Sequence, residues 1–366
     1  MRVLFLMDQM YLHGGTERIL SQKMNYLVEN LNVETYLLTS EQRDRKAVYE
    51  ISNKVVWKDL EINYHRNLSY FHPKNLKKSV RHFKALKKEI AKIKPDVIMS
   101  VSFSPEQYFL PFIHKKIPKL KEFHSSKYVY NVSKQRKFLD KSLKKYDALV
   151  VLNDTEKQFY DNDNIVVIPN FTDFKSSINQ NFKREKTIIA AGRIAPVKQF
   201  DKLIQVWNNL KDEFPDWKIK IFGSGDEMLL NELNDLIKKL NLSHSVFILP
   251  STPLIEEEMN NASIYAMTSE TECFPMVLLE AQACGLPIIS FDCPTGPRHI
   301  INNNIDGLLV EPNNIEAYTN SLRNLIINNQ KRIDFGMRGK HNVELYSKEV
   351  VMKKWLDLFN NQLDKA

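Results

Sequence analysis

Two glutamates bracket a predicted helix start in the second half of the chain. Glu272 lies in a polar loop and Glu280 lies in the helix that follows, with seven residues between them. A carboxylate can accept hydrogen bonds from two hydroxyl groups, which suits it to sugars and ribose. Alternatively, Glu280 only stabilises the helix, because a negative charge near the N-terminus interacts favourably with the helix dipole.

Two cations follow a predicted strand in the same half. Arg193 and Lys198 are five positions apart, directly after the apolar run at residues 187–191. Fixed cations at a strand end can hold a diphosphate and stabilise it as a leaving group. The alternative is a surface arginine and a lysine at a helix start. Arg193 and Lys198 follow one predicted strand and Glu272 follows another, so all three are expected at the same edge of the sheet. This shared position favours the phosphate interpretation.

A strand, a loop and a helix must position the two glutamates. Residues 263–267 are short and apolar, as in a buried strand, and residues 268–274 are polar. Pro275 suits the first helical position because its φ is fixed, and Gly285 predicts the helix end. The first backbone N–H groups of a helix point outwards and attract anions or hydroxyls. The N–H groups concerned here are those of Phe274, Met276 and Val277.

The N-terminal stretch predicts a second ligand site. Residues 2–7 form an apolar strand, and Gly14 and Gly15 follow before a helix that Thr16 can cap. The full G-x-G-x-x-G pattern is missing, so a dinucleotide site is weakly indicated, and a plain tight turn is the alternative. His124 follows the strand predicted at residues 119–123, although a single histidine is often structural.

Apolar periodicity predicts alternating strands and helices along the whole chain. The other strands are expected at residues 33–39, 55–57, 96–101, 148–152, 165–168, 217–222, 246–249, 287–290 and 307–310. The other helices are expected at residues 75–94, 105–114, 133–145, 199–210, 227–240, 315–327, 333–345 and 348–363, with a short one after Thr252-Pro253. The helix at 75–94 has an apolar face that includes Leu76 and Val80, and its other face is rich in lysine. Residues 171–186 resemble a linker, and the βα alternation in the halves before and after them predicts two parallel-sheet domains.

Composition narrows the class of protein. The chain has 366 residues, 43% of them hydrophobic and 26% charged, which is typical of a globular protein. Its three cysteines are too few for a disulfide framework, and they lack metal-ligand spacing. No apolar run is long enough to span a bilayer and no signal peptide is evident, so a cytoplasmic protein is expected.

The net charge of +8 is unevenly distributed. Residues 1–180 hold 31 Lys and Arg against 20 Asp and Glu, whereas residues 181–366 hold 21 against 24. A basic half can face nucleic acid, an anionic membrane or an anionic substrate, and a lysine-rich solvated surface is the alternative. The lysines lie on predicted helices without interleaved aromatic residues, which argues against nucleic acid.

The glutamate motif resembles that of a known family. The run from Glu272 to Glu280 matches the E-x7-E signature of the retaining glycosyltransferases of family four, and residues 280–301 resemble the branch that elongates lipid-linked or surface glycans from UDP-sugars. The stretches GGTER at 14–18, GR…K at 192–198 and FGSG at 222–225 occur in the family's order. Cys273 stands where the family usually has glycine, and His299 where glutamate is common.

The resemblance implies an α/β GT-B fold, in which two Rossmann-like domains face a cleft. An acceptor-binding domain would span residues 1–172, a nucleotide-sugar-binding domain would span 173–347, and residues 348–366 would pack back on the first. Gly14 and Gly15 would border the donor diphosphate, and Arg193 and Lys198 would bind it. Glu272 would hold hydroxyls of the transferred sugar, which His124 would face, and Glu280 would bind the ribose. The remaining donor contacts implied are Gly223, Ser251, Thr252, Pro253, Leu254, Phe274, Pro275, Met276 and Val277.

The resemblance therefore predicts a cytoplasmic hexosyltransferase. It would move a hexose or N-acetylhexosamine from a UDP-sugar to a glycan or polyprenyl-diphosphate acceptor, by same-face attack, with no metal or other cofactor. The basic faces at 74–94 and 115–145 predict peripheral docking on the anionic inner face of the plasma membrane. A GT-B sugar-nucleotide epimerase and a non-catalytic nucleotide-sugar-binding scaffold are the alternatives.

Overall fold

The computed structural model describes residues 1–130, 141–174 and 184–365. It divides into two compact units. Unit 1 comprises Met1–Pro169 together with Val351–Ala366, and unit 2 comprises Asn170–Val350. The predicted boundaries were after residues 172 and 347. Each unit is built around a parallel sheet, as the predicted α/β fold requires.

The sheet of unit 1 has seven strands in the order β3-β2-β1-β4-β5-β6-β7. The strands are β1 Arg2–Met7, β2 Glu34–Thr39, β3 Val56–Asp59, β4 Val97–Ser100, β5 Lys119–Glu122, β6 Ala148–Val151 and β7 Ile165–Val167. Strands β1, β4 and β6 are buried on both faces, which accounts for their nearly continuous apolar runs. The strand order reverses between β1 and β4, so this is the switch point of the sheet.

The sheet of unit 2 has six strands in the order β10-β9-β8-β11-β12-β13. The strands are β8 Thr187–Ala191, β9 Lys218–Phe222, β10 Val246–Leu249, β11 Ile264–Met267, β12 Ile288–Phe291 and β13 Gly307–Val310. Here the strand order reverses between β8 and β11. Ligands of open α/β sheets bind beyond the carboxyl ends of the strands at such a switch point.

Helices connect the strands in the predicted order. In unit 1 these are α1 Gly15–Glu29, α2 Pro73–Ile93, α3 Glu106–Phe109 and α4 Asp154–Lys157. The next group is α5 Phe200–Asn208, α6 Glu227–Lys239, α7 Ile255–Asn261, α8 Met276–Ala283, α9 Ile315–Ile327, α10 Asn329–Asn342 and α11 Lys348–Leu363. From Val351 onwards α11 belongs to unit 1, where it buries Trp355 and Phe359.

Several local predictions were wrong. Thr16 does not cap α1, because the helix begins at Gly15 and Gly14 is its N-cap residue. The helix predicted at 105–114 breaks after Phe109 into a short 3-10 turn that contains a proline. The helix predicted at 333–345 instead covers Asn329–Asn342. Most of the helix predicted at 133–145 and of the linker predicted at 171–186 lies outside the described residues.

Two predicted core positions of α2 are on the surface. Leu76 and Val80 are 46% and 56% exposed, although helical periodicity placed them with the buried Leu86 and Ile90. The buried apolar residues that α2 contributes to the core of unit 1 are Leu86 and Ile90. The first half of the helix is attached through polar side chains, such as His82, whose Nδ1 lies 3.2 Å from the Tyr64 hydroxyl. The first half therefore presents apolar side chains beside exposed lysines.

Candidate donor site

The switch point of unit 2 brings two predicted site residues into direct contact. Lys198 lies in a 3-10 turn after β8, and Glu272 lies in the loop after β11. The Lys198 Nζ is 2.6 Å from the Glu272 Oε1, and the two side chains are only 20% and 15% exposed. A cation and a carboxylate 74 positions apart in sequence thus lie together where the topology places a ligand.

Close backbone packing explains the glycines at this edge. The N–H of Gly192 donates to the Phe222 carbonyl and the N–H of Ile194 donates to the Ser224 carbonyl, so the pairing of β8 and β9 continues beyond both strands. A Cβ on Gly223 would lie 2.0 Å from the Gly192 carbonyl oxygen. Any side chain at Gly223 would therefore push these two segments apart.

The loop that carries Glu272 is fastened to the Lys198 turn. The Thr268 hydroxyl donates to the Gln199 carbonyl at 2.9 Å, and the Glu270 N–H donates to the Val197 carbonyl at 2.8 Å. Gln199 itself has a φ of +47°, a left-handed conformation that turns the chain into α5. These bonds fix the backbone on both sides of the Lys198–Glu272 contact.

The helix after this loop starts one residue later than predicted. Pro275 is the N-cap of α8 and Met276 is its first residue, whereas Pro275 was predicted at the first helical position. No side chain caps the helix, and Met276 and Val277 are only partly buried. The first N–H groups of α8 are therefore placed to bind a ligand. Phe274 is buried and packs against Tyr346 at 5.7 Å between ring centroids, and this contact fixes the residue before the N-cap.

Glu280 lies one turn inside α8 and is buried. Its charge acts on Tyr265 of β11, whose hydroxyl donates to the Ala191 carbonyl at 3.1 Å. Burial raises the pKa of Tyr265, and the charges of Glu280 and Glu272 raise it further. Both glutamates therefore act electrostatically on one phenol at the end of β8, although Glu280 is much less accessible than Glu272.

The other predicted donor contacts are more exposed. Arg193 is on the surface, and among the described residues no ion pair or hydrogen bond engages its side chain. Ser251 is also exposed, and its N–H and hydroxyl both donate to the Ser224 hydroxyl, at 3.2 and 2.9 Å. Thr252 accepts a hydrogen bond from the N–H of Leu254. This last bond shapes the turn of residues 251–254, which contacts Ser224 through Ser251.

The predicted residues of unit 1 lie at the carboxyl edge of its own sheet. Gly14 precedes α1, and a Cβ there would meet the Glu17 carboxylate, whereas nothing lies within 4 Å of a Cβ on Gly15. His124 follows β5 with a side chain only 5% exposed, and its Nε2 is 3.1 Å from the Glu122 Oε1.

Sequence reasoning missed the charge network behind His124. Both oxygens of Glu122 accept hydrogen bonds at 2.7 Å from Nζ of Lys23, which comes from α1. The same ammonium lies 3.7 Å from the ring centroid of Trp355. Although burial alone would raise the pKa of Glu122, Lys23 and His124 lower it to about 2. Burial lowers the pKa of Lys23, and the contact with Glu122 opposes that effect.

The three cysteines lie in the interior of unit 2. Cys273, Cys284 and Cys293 are all buried free thiols. Burial, with added repulsion from Glu272, raises the pKa of Cys293 to about 12. Within the described ranges, no group of His, Cys, Asp and Glu side chains has a metal-binding arrangement.

Comparison with known proteins identifies the family. The model of glycosyl transferases group 1 matches residues 171–342. The amylovoran biosynthesis glycosyltransferase AmsD of Erwinia amylovora is 30% identical over 98% of this chain and 99% of its own length. Two other curated relatives are matched over only 24% and 60% of their own length.

Solved structures share the fold. Staphylococcus aureus TarM, crystallised as a mutant with UDP, α-GlcNAc-glycerol and fondaparinux, superposes with a TM-score of 0.79 at 16% identity, over 98% of this chain and 99% of that one. Sucrose-phosphate synthase from Thermosynechococcus elongatus gives a TM-score of 0.81 at 17% identity, over the full length of both chains. The predicted GT-B fold is confirmed.

Proposed function

This chain belongs to the group 1 glycosyl transferases, and on that premise we propose that it transfers a hexose or an N-acetylhexosamine from a UDP-sugar to a lipid-linked or surface glycan. Transfer would proceed by same-face attack with retention of configuration and without a metal. The observation that carries this proposal is the Lys198–Glu272 contact at the switch point of unit 2. The UDP bound to the structurally similar TarM supports the choice of nucleotide.

The chemistry follows from the charges at this edge. The ammonium of Lys198 and the guanidinium of Arg193 would stabilise the negative charge that develops on the diphosphate as the sugar leaves. Glu272 keeps hydrogen-bonding capacity for sugar hydroxyls, because its Oε1 is held by Lys198 and a carboxylate offers about four lone-pair sites. The buried Glu280 would accept hydrogen bonds from the ribose hydroxyls.

The test is a donor screen with site variants. Thermal stabilisation and sugar release are measured with UDP-, GDP- and ADP-sugars, and we expect a response to UDP-sugars. Glu272→Gln, Lys198→Met and Arg193→Met should each lower turnover by at least about 100-fold, the effect typical of lost transition-state contacts. The matched control is Lys220→Met, which breaks a similar partly buried contact of 3.0 Å with Glu258 in the same unit.

The outcomes separate the alternatives. Wild-type turnover in both Glu272→Gln and Lys198→Met would refute the proposed roles. Conversion of the donor sugar without any acceptor would favour an epimerase instead. UDP binding without transfer to any offered glycan would favour a scaffold protein.

We also propose that unit 1 docks on an anionic membrane surface through the first half of α2. Leu76 and Val80 are exposed there, and Phe71 just before the helix is 48% exposed. The neighbouring exposed lysines each add roughly 1 kcal/mol of attraction to an anionic leaflet. Among the described residues no helix is long and apolar enough to cross a bilayer. The second predicted basic face, at 115–145, lies partly outside the described residues.

Vesicle sedimentation tests this docking. Binding should require phosphatidylglycerol, should weaken from 0.1 to 0.5 M NaCl, and should fall in Leu76→Ser/Val80→Ser. The control pair Lys238→Gln/Lys239→Gln removes two charges from α6 in unit 2 and should bind like the wild type. Equal binding to neutral vesicles, or binding that is insensitive to salt, would exclude the proposed surface.

A further inference from the structure

A strained threonine touches the loop that carries Glu272. Thr295 follows β12 and has a φ of +73°. Among the described non-glycine residues with positive φ, it is the only β-branched one. A β-branched residue in this region is a genuine outlier, and such strain persists only where the surroundings enforce it.

The surroundings that enforce this conformation are residues of the candidate site. The Thr295 hydroxyl donates to the backbone carbonyl of Glu272 at 2.7 Å, and the two residues form an isolated parallel bridge. Thr295 is 2% exposed, so this bond is shielded from water. A Cβ on the next residue, Gly296, would lie 2.8 Å from the Pro275 ring and 2.9 Å from the Cβ of Glu272.

The turn around Thr295 is closed by an ion pair. The guanidinium of Arg298 donates to both carboxylate oxygens of Asp292, at 3.1 and 2.9 Å. This two-point contact joins the ends of the turn and holds Thr295 between them. Thr268 fastens the start of the Glu272 loop to Gln199, so Thr295 provides the second attachment, at Glu272 itself.

We propose that Thr295 is a positioning residue, whose hydroxyl sets where the Glu272 carboxylate meets the transferred sugar. The inference rests on the proposed function, in which Glu272 contacts the sugar. It explains the strained backbone, because the left-handed conformation places the hydroxyl against the Glu272 carbonyl. Thr295 lies 23 positions beyond Glu272, so this role depends on the fold and not on the motif.

Loss of the Thr295 hydroxyl should affect transfer of the sugar and binding of the nucleotide differently. Of the parts of the donor, Glu272 would contact only the transferred sugar, which UDP lacks. Loss of the hydroxyl should therefore weaken catalysis with UDP-N-acetylglucosamine or UDP-glucose, whichever the donor screen identifies, but leave the dissociation constant of UDP within about twofold. A merely structural defect would weaken UDP binding as well.

Three substitutions separate the effects of the Thr295 hydroxyl, of its branched side chain and of its strained backbone. Thr295→Val keeps the shape but lacks the hydroxyl, and should lower kcat/KM by about 10- to 100-fold, the range expected for a slightly misplaced catalytic group. Thr295→Ser keeps the hydroxyl and should stay within about threefold of the wild type. Thr295→Gly removes the hydroxyl and relieves the strained φ. It should lose as much activity as Thr295→Val, but its Tm should fall less, because glycine adopts a positive φ without strain.

Glu272→Gln is measured in parallel as the reference. If Glu272→Gln is inactive while Thr295→Val retains wild-type kcat/KM, or while Thr295→Ser is as impaired as Thr295→Val, the role of Thr295 is overturned and the proposed function stands. If Glu272→Gln is fully active, the assignment of Glu272 fails, and the role of Thr295 fails with it.

Discussion

Replacing Glu122 by glutamine should destabilise unit 1 strongly. The substitution keeps the volume of the side chain but removes the charge that neutralises Lys23, which is fully buried. Both hydrogen bonds from the ammonium, each 2.7 Å long, end on this one carboxylate. Removing one partner of a buried ion pair costs about 3–5 kcal/mol, because the other charge stays in a medium that solvates it poorly. For a unit of this size the loss corresponds to a decrease in Tm of roughly 10 °C.

A compensating substitution makes this reasoning testable. In Lys23→Met/Glu122→Gln both charges of this pair are removed, and the methionine thioether can pack against the Trp355 ring that Lys23 now contacts. We expect the double variant to lie within about 1–2 kcal/mol of the wild type, because buried ion pairs contribute little relative to well-packed apolar groups.

Hydrogen exchange resolved by peptide is the suitable assay, since unfolding of a chain with two units need not be two-state. Glu122→Gln should increase exchange in α1, β5 and α11, and exchange in the peptides of β8–β13 should stay unchanged. If the double variant were less stable than both Lys23→Met and Glu122→Gln, the two losses would be additive. That result would refute the claim that Glu122 stabilises unit 1 by neutralising Lys23.

Three further predictions follow from particular contacts. The folded-state pKa of Glu122, about 2, lies below its ordinary value of 4.5. Its stabilising contribution is therefore complete above about pH 4.5 and is lost as the pH falls towards 2, so the double variant should show a flatter pH dependence of exchange in β5. Tyr318→Phe should lower the stability of unit 2 by about 1–2 kcal/mol in calorimetry, because this buried hydroxyl donates to backbone carbonyls of β11 and β12 at 3.3 and 3.0 Å. Gly223→Ala should lower the Tm of unit 2, because its Cβ would meet the Gly192 carbonyl, whereas Gly15→Ala should preserve the Tm of unit 1, because nothing lies within 4 Å of a Cβ there. A normal Tm in Gly223→Ala would contradict the packing argument.

The sequence predicted the fold well where the signal was local. Strand β8 and helix α9 have the predicted bounds, and Gly285 ends α8 with a φ of +65°, as a glycine after a helix should. Periodicity also identified the final helix and its buried Trp355. Each of these features depends on neighbouring residues alone.

The features that were missed depend on contacts between distant segments. Lys23 and Glu122 are 99 positions apart, and nothing in either local sequence indicates a buried pair. Leu76 and Val80 satisfy the helical pattern, but they are exposed and do not belong to the hydrophobic core of unit 1. The site roles taken from the family resemblance remain predictions, since they await the variants described above.

The membership of α11 in unit 1 affects the order in which the chain can fold during synthesis. Residues 170–350 form a continuous unit, so unit 2 can complete its sheet as soon as they have left the ribosome. Unit 1 is synthesised first but has to wait for Val351–Ala366. Until then Lys23 lacks the indole of Trp355 against which it finally packs. The N-terminal half of the nascent chain is therefore the last to mature, and it presents an incomplete core throughout translation of the other half.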